Sequence, residues 1–424
     1  MTAAATPPMG WNSWDCYGTT VTEAEVLANA EFMAARLAPY GWNTVVVDIQ
    51  WYEPTARAGG YNPDAPVVLD AYGRPQPAPH RFPSAVDGHG FGPLAARIHD
   101  LGLRFGLHIM RGIPRRAVAE NLPILGTDYQ AADVADRAST CSWNSDNFGL
   151  DHDHPGAQAY YDALVALFAD WGVDYVKADD MLAPYHVAEI AGLSRALRGC
   201  GRPIVLSLSP GTGLDVERID HLRANANLWR VSDDLWDRWE DVYAQFDRMA
   251  RWAPLSRPGS WADADMLPLG RIGIRAERGI DRPSRLTWDE QHTLMTLWCM
   301  SRSPLMFGGD LPTSDPDTID LLTNTDVLAV LNHSSANRQH RRDGDLVIWT
   351  AEATDRPARY LALFAVGDRP LDVHLPLDAD LPLAQDSRIT ELWSGADVAV
   401  GDGLRVTLPP HGCALYRVQP ATTV

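Results

Sequence analysis

The sequence contains almost no lysine. Of its 36 lysine and arginine residues, 35 are arginine and only Lys177 is a lysine. A solvated surface cation can be either residue, but a compact ammonium and a planar guanidinium are not interchangeable beside a carboxylate. The single lysine lies within Val173–Met181, next to aspartates, and so indicates a chemical role for that segment. The alternative is an arginine-biased composition that kept one lysine by chance.

Other features are also missing, and each absence excludes a class of protein. No apolar run approaches the roughly 18 residues that would span a bilayer. No basic block offsets the net charge of −19, which disfavours nucleic acid and anionic membranes as partners. The five cysteines form no C-x-x-C pair, so neither a zinc ribbon nor a disulfide-dense framework is indicated. The first residues lack the pattern of a signal peptide, so we expect a cytoplasmic protein unless a leader was removed.

Short strand-like runs alternate with longer helical stretches over most of the chain. Eight such runs separated by helices predict a (β/α)8 TIM barrel in residues 1–325. The strands are predicted at Met9–Trp14, Thr44–Asp48, Arg104–Met110, Tyr175–Asp179, Ile204–Ser209, Leu228–Asp233, Trp261–Met266 and Pro304–Gly308. Three helices with apolar faces or capping signals are predicted at Val21–Leu37, opening at Thr20, and at Pro155–Trp171 and Leu286–Ser301.

The pattern changes in residues 332–424, where no helix-length segment occurs. Six strand-like runs separated by Gly, Pro and Asp turns predict a small all-β antiparallel sandwich there. The runs are Leu346–Ala351, Arg359–Val366, Leu371–Leu375, Arg388–Trp393, Leu404–Leu408 and Cys413–Val418.

Polar residues follow the predicted barrel strands at their carboxyl ends, where barrel enzymes hold their reactive groups. An unpaired charge buried there would cost several kcal/mol, so these groups must pair with each other or with a polar ligand. The residues concerned are Trp14, Asp48, Met110, Arg111, Lys177, Asp179, Ser209, Arg230, Asp234, Asp263 and Asp265.

Strand alternation assigns roles to two of the carboxylates. Lys177 and Asp179 are two residues apart and share a face, so the ammonium would keep Asp179 ionised as a nucleophile. By the same parity Arg230, Ser232 and Asp234 share a face, which presents Asp234, in preference to Asp233, to the same cavity. Two carboxylates from two strands are the minimum equipment for glycoside hydrolysis with retention. The alternative is an ion-pair network that only closes the barrel.

Aromatic residues are also abundant near the predicted strand ends. Flat apolar faces can stack on a sugar ring, although most tryptophans are expected to pack in the core. The tryptophans concerned are Trp11, Trp14, Trp51, Trp143, Trp229, Trp236 and Trp261.

Four segments along the barrel carry a family resemblance. They are Pro8–Trp14 (PMGWNSW), Asp174–Asp179 (DYVKAD), Trp229–Arg230 with Asp234, and Trp261–Leu267 (WADADML). Together they resemble the successive motifs of glycoside hydrolase family 27, the α-galactosidase and α-N-acetylgalactosaminidase family. The resemblance implies a retaining mechanism with Asp179 as nucleophile and Asp234 as acid/base, without metal or organic cofactor. It also implies sugar contacts from Trp14, Asp48, Lys177, Arg230, Asp265 and Met266.

The chain departs from the galactosidase pattern in four places. Galactose-specific members carry two adjacent acids on the second strand, where this chain has Asp48-Ile49-Gln50-Trp51. Met181 stands where a disulfide cysteine is expected, and Ser209 stands where relatives place a glutamate that reads the 2-substituent. The third-strand segment His108–Arg115 brings Arg111 to the mouth. We therefore include Trp51, His108, Arg111 and Ser209 among the candidate substrate-binding residues.

The resemblance leaves the sugar open. α-Galactoside hydrolysis is the first expectation because it dominates the family. A β-L-arabinopyranosidase or an isomaltose-releasing dextranase would also be compatible with Ile49, because a residue that holds a hydroxyl is lost there. The partner is in each case a carbohydrate, and the oligomeric state stays open, with a homodimer as one expectation.

Two rivals belong to other classes. A metal-dependent barrel hydrolase could use His152-Asp153-His154, although this run lies on a loop and has no third ligand at helpful spacing. A non-catalytic carbohydrate-binding protein could share the scaffold, but a decayed site would be free to lose either carboxylate.

Overall fold

A closed barrel of eight parallel strands forms the larger part of the molecule. The computed structural model describes residues 4–62, 64–377, 381 and 387–420. Each strand pairs in parallel with its neighbours in chain order, β1 also pairs with β8, and a bridge between Leu267 and Phe307 joins the β7 side to β8. This confirms the predicted TIM barrel. The strands are β1 Met9–Asn12, β2 Thr44–Val47, β3 Arg104–Met110, β4 Tyr175–Asp179, β5 Val205–Leu208, β6 Leu228–Arg230, β7 Trp261–Asp263 and β8 Leu305–Phe307.

Several predicted strands extend too far at their carboxyl ends. β1 ends at Asn12, β6 at Arg230 and β7 at Asp263, each two or three residues earlier than expected. The reason is local: polar side chains here bond to nearby backbone amides and so compete with the strand ladder. Asn12 accepts from the amide of Trp14 at 2.9 Å, and Asp263 accepts from that of Asp265 at 2.9 Å. β1 and β7 therefore end at Asn12 and Asp263, whose side chains bond to the backbone of the loop that follows.

Helices surround the barrel and follow its strands. Thr22, and not Thr20 as predicted, caps the first long helix, where Glu25 completes a capping box; Thr287 and Glu290 form the expected box on another. The α-helices are Trp14–Tyr17, Glu23–Arg36, Gly92–Asp100, Arg115–Ala119, Ala131–Val134, Pro155–Asp170, Val187–Gly199, Ile219–Asn225, Trp239–Trp252, Trp288–Ser301, Pro316–Thr323 and Thr325–Asn332.

A small sheet that the sequence did not indicate lies between β3 and the helix Pro155–Asp170. Its antiparallel strands are Ile113–Pro114, Ala135–Thr140 and Asn147–Leu150. These strands are short and mostly half-exposed, and apolar and polar residues do not alternate along them, so the sequence pattern does not predict them. The excursion brings Cys141 and Trp143 to the carboxyl-end side of the barrel, where they join an apolar cluster with Trp14.

The C-terminal residues form the predicted antiparallel sandwich. A six-stranded sheet faces a two-stranded one, and a separate apolar cluster that includes Leu361 and Leu404 lies between them. Ser334–Asp343, a polar edge strand rich in arginine, was not predicted because its pattern lacks apolar alternation. The strands are β9 Ser334–Asp343, β10 Leu346–Ala353, β11 Arg359–Ala365, β12 Leu371–Pro376, β13 Arg388–Glu391, β14 Asp397–Val398, β15 Gly403–Leu408 and β16 Cys413–Gln419.

One apolar cluster runs from the barrel into the sandwich. It contains Trp298 of a barrel helix together with Trp349, Phe364 and Leu415 of the sandwich. Phe364 packs edge-to-face against Phe246 of the helix Trp239–Trp252, with ring centroids 5.0 Å apart. The division into residues 1–325 and 332–424 therefore stays a prediction about chain organisation, and the two parts share a core.

Two further observations concern the whole described chain. The five cysteines are all unpaired. Among the helices of the described ranges, none has both the length and the apolar character that a membrane crossing needs.

Candidate active site

An ion pair joins the single lysine to the second strand. The Lys177 ammonium on β4 donates to Asp48, which directly follows β2, at 2.9 Å, and Asn12 donates to the same carboxylate at 2.7 Å. Burial alone would lower the pKa of Lys177, but the charges of Asp48 and Asp179 outweigh it and raise this pKa. Lys177 is thus a permanent cation. Strand alternation predicted that Lys177 lies beside Asp179; its ammonium bonds Asp48, and its charge also acts on Asp179.

His108 on β3 supplies a side-chain hydrogen bond to Asp179, which also accepts from the backbone amide of Asp180 at 2.9 Å. Its ring Nε2 lies 3.0 Å from the carboxylate, and the β3–β4 register places His108 opposite Lys177. Burial favours the neutral acid, but the hydrogen bond and charge of His108 and the charge of Lys177 hold the pKa of Asp179 well below its usual range. Asp179 is therefore ionised at neutral pH, as a nucleophile must be.

A second group of charges surrounds Arg230 at the end of β6. Its guanidinium bonds Asp265 at 2.8 Å and Asp234 at 3.1 Å, and the backbone amide of Leu235 donates to Asp265. Burial and the neighbouring carboxylates Asp234 and Asp263 raise the pKa of Asp265 although Arg230 opposes them. Asp234 is the most accessible of these acids, since 33% of its side chain is exposed compared with 5% for Asp265.

The two charge groups face one opening. Lys177 interacts electrostatically with Asp48, Asp179, Arg230 and Asp234. Tyr61 lies in the loop after β2, within electrostatic range of Asp234, Asp179 and Asp48; its burial, and then these charges, raise its pKa. The carboxylates from β2, β4 and β6 are therefore brought together, which strand alternation alone could only suggest.

An apolar wall completes the opening. Ile49, Met110 and Met266 belong to one cluster of buried residues with Trp14. The indole of Trp14 stacks on the ring of Tyr61 with centroids 5.4 Å apart and planes 14° from parallel. A ring of Trp143 leans against Tyr61 at 5.2 Å. Such a surface suits the apolar face of a sugar ring.

Two residues that we included among the candidates lie elsewhere. Trp51 is fully buried between the barrel and its helices, where it packs on Phe91 and Trp171 and donates its Nε1 hydrogen to the carbonyl of His108. It is a core residue. The prediction failed because proximity to a strand end in sequence does not say which way an indole points.

Arg111 is buried in an ion-pair network behind the nucleophile strand. Its guanidinium bonds Asp180 at 2.8 Å and Glu189 at 3.2 Å, and donates also to Ser139. Because these partners occupy its donors, Arg111 positions the loop after β4 and is not presented to a substrate. The expectation that Arg111 is a substrate-binding arginine at the mouth disagrees with this pairing.

The sequence predicted Ser209 as a substrate-binding residue and placed Ser232 on the same face as Arg230 and Asp234. Ser209 is buried at the end of β5, and within the described residues its Oγ has no hydrogen-bond partner. Ser232 lies beyond the last residue of β6, and its hydroxyl accepts from Gln245 on a surrounding helix. Only Arg230 and Asp234 of that predicted trio therefore meet.

Sequence reasoning missed Tyr61, Asn12 and Asp15. Tyr61 follows Gly59-Gly60 in a long loop without periodicity, so nothing in the pattern marked it. Asn12 lies in the motif Pro8–Trp14, and its bond to Asp48 could have been suspected from that motif alone. Asp15 is a buried carboxyl whose pKa burial and the nearby Asp265 raise strongly.

The two histidines considered as metal ligands have other partners. His152 bonds Glu189 at 3.0 Å, and His154 caps the helix Pro155–Asp170 by accepting from Gly156. Across the residues that the structure describes, no group of three or more His, Cys, Asp or Glu side chains has a metal-binding arrangement.

Known proteins share both parts of this chain. Residues 148–333 match the family described as alpha galactosidase A, and residues 343–418 match the alpha galactosidase C-terminal beta sandwich domain. The rat α-N-acetylgalactosaminidase is 30% identical over 449 residues, covering 98% of this chain and 91% of that protein. Human α-galactosidase A is 28% identical over 382 residues, covering 85% of this chain and 73% of that protein.

A solved structure is more similar still. A family 27 β-L-arabinopyranosidase from Geobacillus stearothermophilus superposes with a TM-score of 0.96 at 50% identity, and the alignment covers 99% of this chain and 98% of that one. The barrel, its carboxylate-lined mouth and the attached sandwich define a glycoside hydrolase acting on carbohydrate. The chain belongs to glycoside hydrolase family 27, a family in which retention is the typical mechanism.

Proposed function

We propose that this enzyme is an exo-acting, retaining β-L-arabinopyranosidase. The single observation that carries the proposal is Ile49, a buried aliphatic side chain that directly follows Asp48 at the mouth. A galactosidase has a second acid at this position to hold a sugar hydroxyl. L-Arabinopyranose resembles galactose without its hydroxymethyl group, so an apolar residue is the fitting neighbour for the position that this group would occupy.

The surroundings of Ile49 support the same choice. Ile49 belongs to the cluster that contains Trp14 and Met266 and against which Tyr61 packs, so this side of the opening is apolar. A hydroxymethyl group placed there would lose its hydrogen bonds to water without gaining others, at a cost of about 1–3 kcal/mol. The similarity to the Geobacillus enzyme, of which a variant has been solved with arabinose, agrees with this proposal.

The proposed reaction assigns one step to each carboxylate. Asp179 attacks the anomeric carbon and forms a glycosyl-enzyme, while Asp234 donates a proton to the leaving oxygen. Asp234 then takes a proton from water, which attacks the same carbon and releases the sugar with its configuration retained. Asp48, Lys177, Arg230 and Asp265 bind sugar hydroxyls, and Trp14, Ser209 and Met266 line the site.

A panel of 4-nitrophenyl glycosides tests the glycone. We expect kcat/KM to be highest for the β-L-arabinopyranoside, and lower for the α-galactoside, α-glucoside and α-N-acetylgalactosaminide. Ile49→Ala should reduce the preference for arabinopyranoside over α-galactoside by about tenfold, because it makes room for the hydroxymethyl group. Ile49→Asp adds the missing acceptor and should reduce it further.

A matched control separates specificity from packing. Val46→Ala truncates another buried residue of the same cluster, three positions earlier in the second-strand segment. It should lower stability and leave the preference unchanged. A wild-type preference for the α-galactoside would favour an α-galactosidase, the activity expected first from the family. Turnover of isomaltose-type oligomers alone would favour the dextranase.

A further inference from the structure

A second cavity lies at the opposite end of the barrel from the carboxylates. Its volume is about 690 Å³, and its lining includes Ile204, Asn227 and Ser260, which immediately precede β5, β6 and β7. Chemistry in this fold takes place at the carboxyl ends of the strands, so a cavity at their amino ends is free of any catalytic duty. Its volume is within the range of sites that hold small molecules.

All the charged residues that line this cavity are basic. The lining includes Arg198, Arg202, Arg223 and Arg257, and no acidic residue. Only Arg202 has a carboxylate partner within the described chain, Asp174 at 2.5 Å. Arg198 bonds Ser194 and a carbonyl, and Arg223 bonds a carbonyl while its buried Nε has no partner. The hydrogen-bond acceptors of Arg198 and Arg223 are uncharged, so they do not neutralise the positive charge of these guanidiniums.

A smaller basic cavity of about 280 Å³ continues from the first. It shares Arg257 and Pro258 with it, adds Arg302 and Arg338, and again has no acidic lining residue. The Arg302 guanidinium donates to two carbonyls and covers the ring of Trp261. No carboxylate of the described residues pairs with Arg257 or Arg338.

Both cavities are lined by charges of one sign, positive, although the chain as a whole is acidic. The chain has 55 acidic residues and 36 basic ones, and the buried guanidiniums of Arg111 and Arg230 are paired with carboxylates, whereas that of Arg81 bonds backbone carbonyls. Unbalanced cations around a concave surface repel one another and concentrate anions from solution. Guanidinium groups bind phosphate oxygens in a two-pronged geometry that an ammonium cannot reproduce.

We propose that the cavity of Arg198, Arg223 and Arg257 binds a phosphate-bearing small molecule. Arg257 and Arg198 are exposed at its rim and supply the charge, together with Arg223, whose guanidinium bonds a carbonyl and no carboxylate among the described residues. The site is separate from the glycosidase centre and does not depend on which sugar that centre accepts. It gives the enzyme a means to bind phosphate, free or as an ester.

Calorimetric titration of the full chain with inorganic phosphate and with glucose 1-phosphate tests the proposal. We expect saturable binding at low ionic strength. Arg257→Glu should weaken it at least tenfold, because the substitution replaces a cation at the rim by an anion. Arg369→Glu is the matched control: Arg369 is an exposed arginine in a turn of the sandwich with no ion pair among the described residues, so the charge change is the same. Its binding should stay within twofold of wild type.

The outcomes distinguish the alternatives. Tighter binding of glucose 1-phosphate would identify an ester site, and equal binding would identify a site for the phosphate group alone. The proposal fails if neither ligand binds, if sodium chloride at equal ionic strength competes as well as phosphate, or if the two variants lose binding equally. Turnover of the aryl glycoside should be unchanged in Arg257→Glu, which shows that the variant is folded.

Discussion

Lys177 illustrates how one residue organises the mouth. Its ammonium bonds Asp48 and lies in the field of Asp179 and Asp234, so it balances carboxylates from three strands. A guanidinium is larger and planar and would not fit the same point between them. The use of lysine at one place in an arginine-rich chain is explained by this geometry.

The two proposed catalytic carboxylates should respond differently to the leaving group. Asp179→Asn removes the nucleophile, so kcat for all substrates should fall by at least about 10⁴-fold. Asp234→Ala removes the proton donor, which matters less when the leaving group is already a weak base. Steady-state kinetics should therefore show a far smaller loss on 4-nitrophenyl glycosides than on alkyl glycosides or natural substrates.

Asp233 provides the control for that contrast. It is an exposed neighbour whose carboxylate, among the described residues, accepts from the backbone amide of Asp234 alone. Asp233→Ala should retain most activity on both substrate types. Equal losses of Asp234→Ala on good and poor leaving groups would refute the role of Asp234 as acid.

Asp15 should make stability depend on pH. Its pKa is raised because it is buried and close to Asp265 and Asp234, whereas in the unfolded chain it is about 3.9. Between these two values the unfolded chain has released the proton and the folded protein keeps it. The unfolding free energy therefore falls as pH rises through that interval, by up to about 1.4 kcal/mol per pH unit from this group.

Asp15→Asn removes this contribution. The variant should gain stability relative to wild type as the pH is raised from about 4.5 towards neutrality, measured by urea unfolding at each pH. Parallel stability curves for the two proteins would contradict the raised pKa.

At the scale of elements, the amino-acid pattern predicts the regular strands of the barrel. The eight barrel strands could be located because each is a short apolar run between helices. Their carboxyl ends could not, because Asn12 and Asp263 end the ladder through side-chain bonds that no period encodes. Asp48, Lys177 and Asp179 could be predicted as site residues because they lie at the ends of regular strands. The carboxylate partners of Arg111 could not, because they lie on a loop and on a helix.

The loop that carries Tyr61 was beyond prediction. Gly59 and Gly60 have φ values of 93° and 121°, which only glycine adopts easily, and they turn the chain so that Tyr61 reaches Trp14. The glycine pair marks a turn in the sequence, but it does not say which aromatic residue the turn delivers or where.

Tyr61 should contribute through its ring. Stacked aromatic contacts are worth about 0.5–1.5 kcal/mol, so Tyr61→Ala should raise KM and lower kcat/KM up to about tenfold. Tyr61→Phe keeps the stack and should stay near wild type. Tyr40→Ala, an exposed tyrosine elsewhere, controls for general effects. A large loss in Tyr61→Phe would instead assign the function to the hydroxyl.

At the scale of the molecule, barrel and sandwich share one core. The edge-to-face pair of Phe246 and Phe364 joins them, and His411 of the sandwich stacks on Trp239 at 4.0 Å and bonds Glu290 at 2.7 Å. A sandwich released from these contacts would expose the apolar face that includes Trp349 and Leu415. The two parts are therefore expected to unfold as one cooperative unit.

A truncation far from the barrel tests this cooperativity most sharply. Leu404 is fully buried between the two sheets of the sandwich and belongs to the cluster that excludes barrel residues. Leu404→Ala should cost about 2–5 kcal/mol. If barrel and sandwich unfold together, calorimetry shows one transition, and the temperature at which glycosidase activity is lost falls with it by a few degrees. Phe364→Ala, at the interface itself, should behave alike. If the sandwich unfolded independently, Leu404→Ala would produce a second transition at a lower temperature. The temperature at which glycosidase activity is lost would then stay unchanged, because the barrel that carries the active-site carboxylates would remain folded.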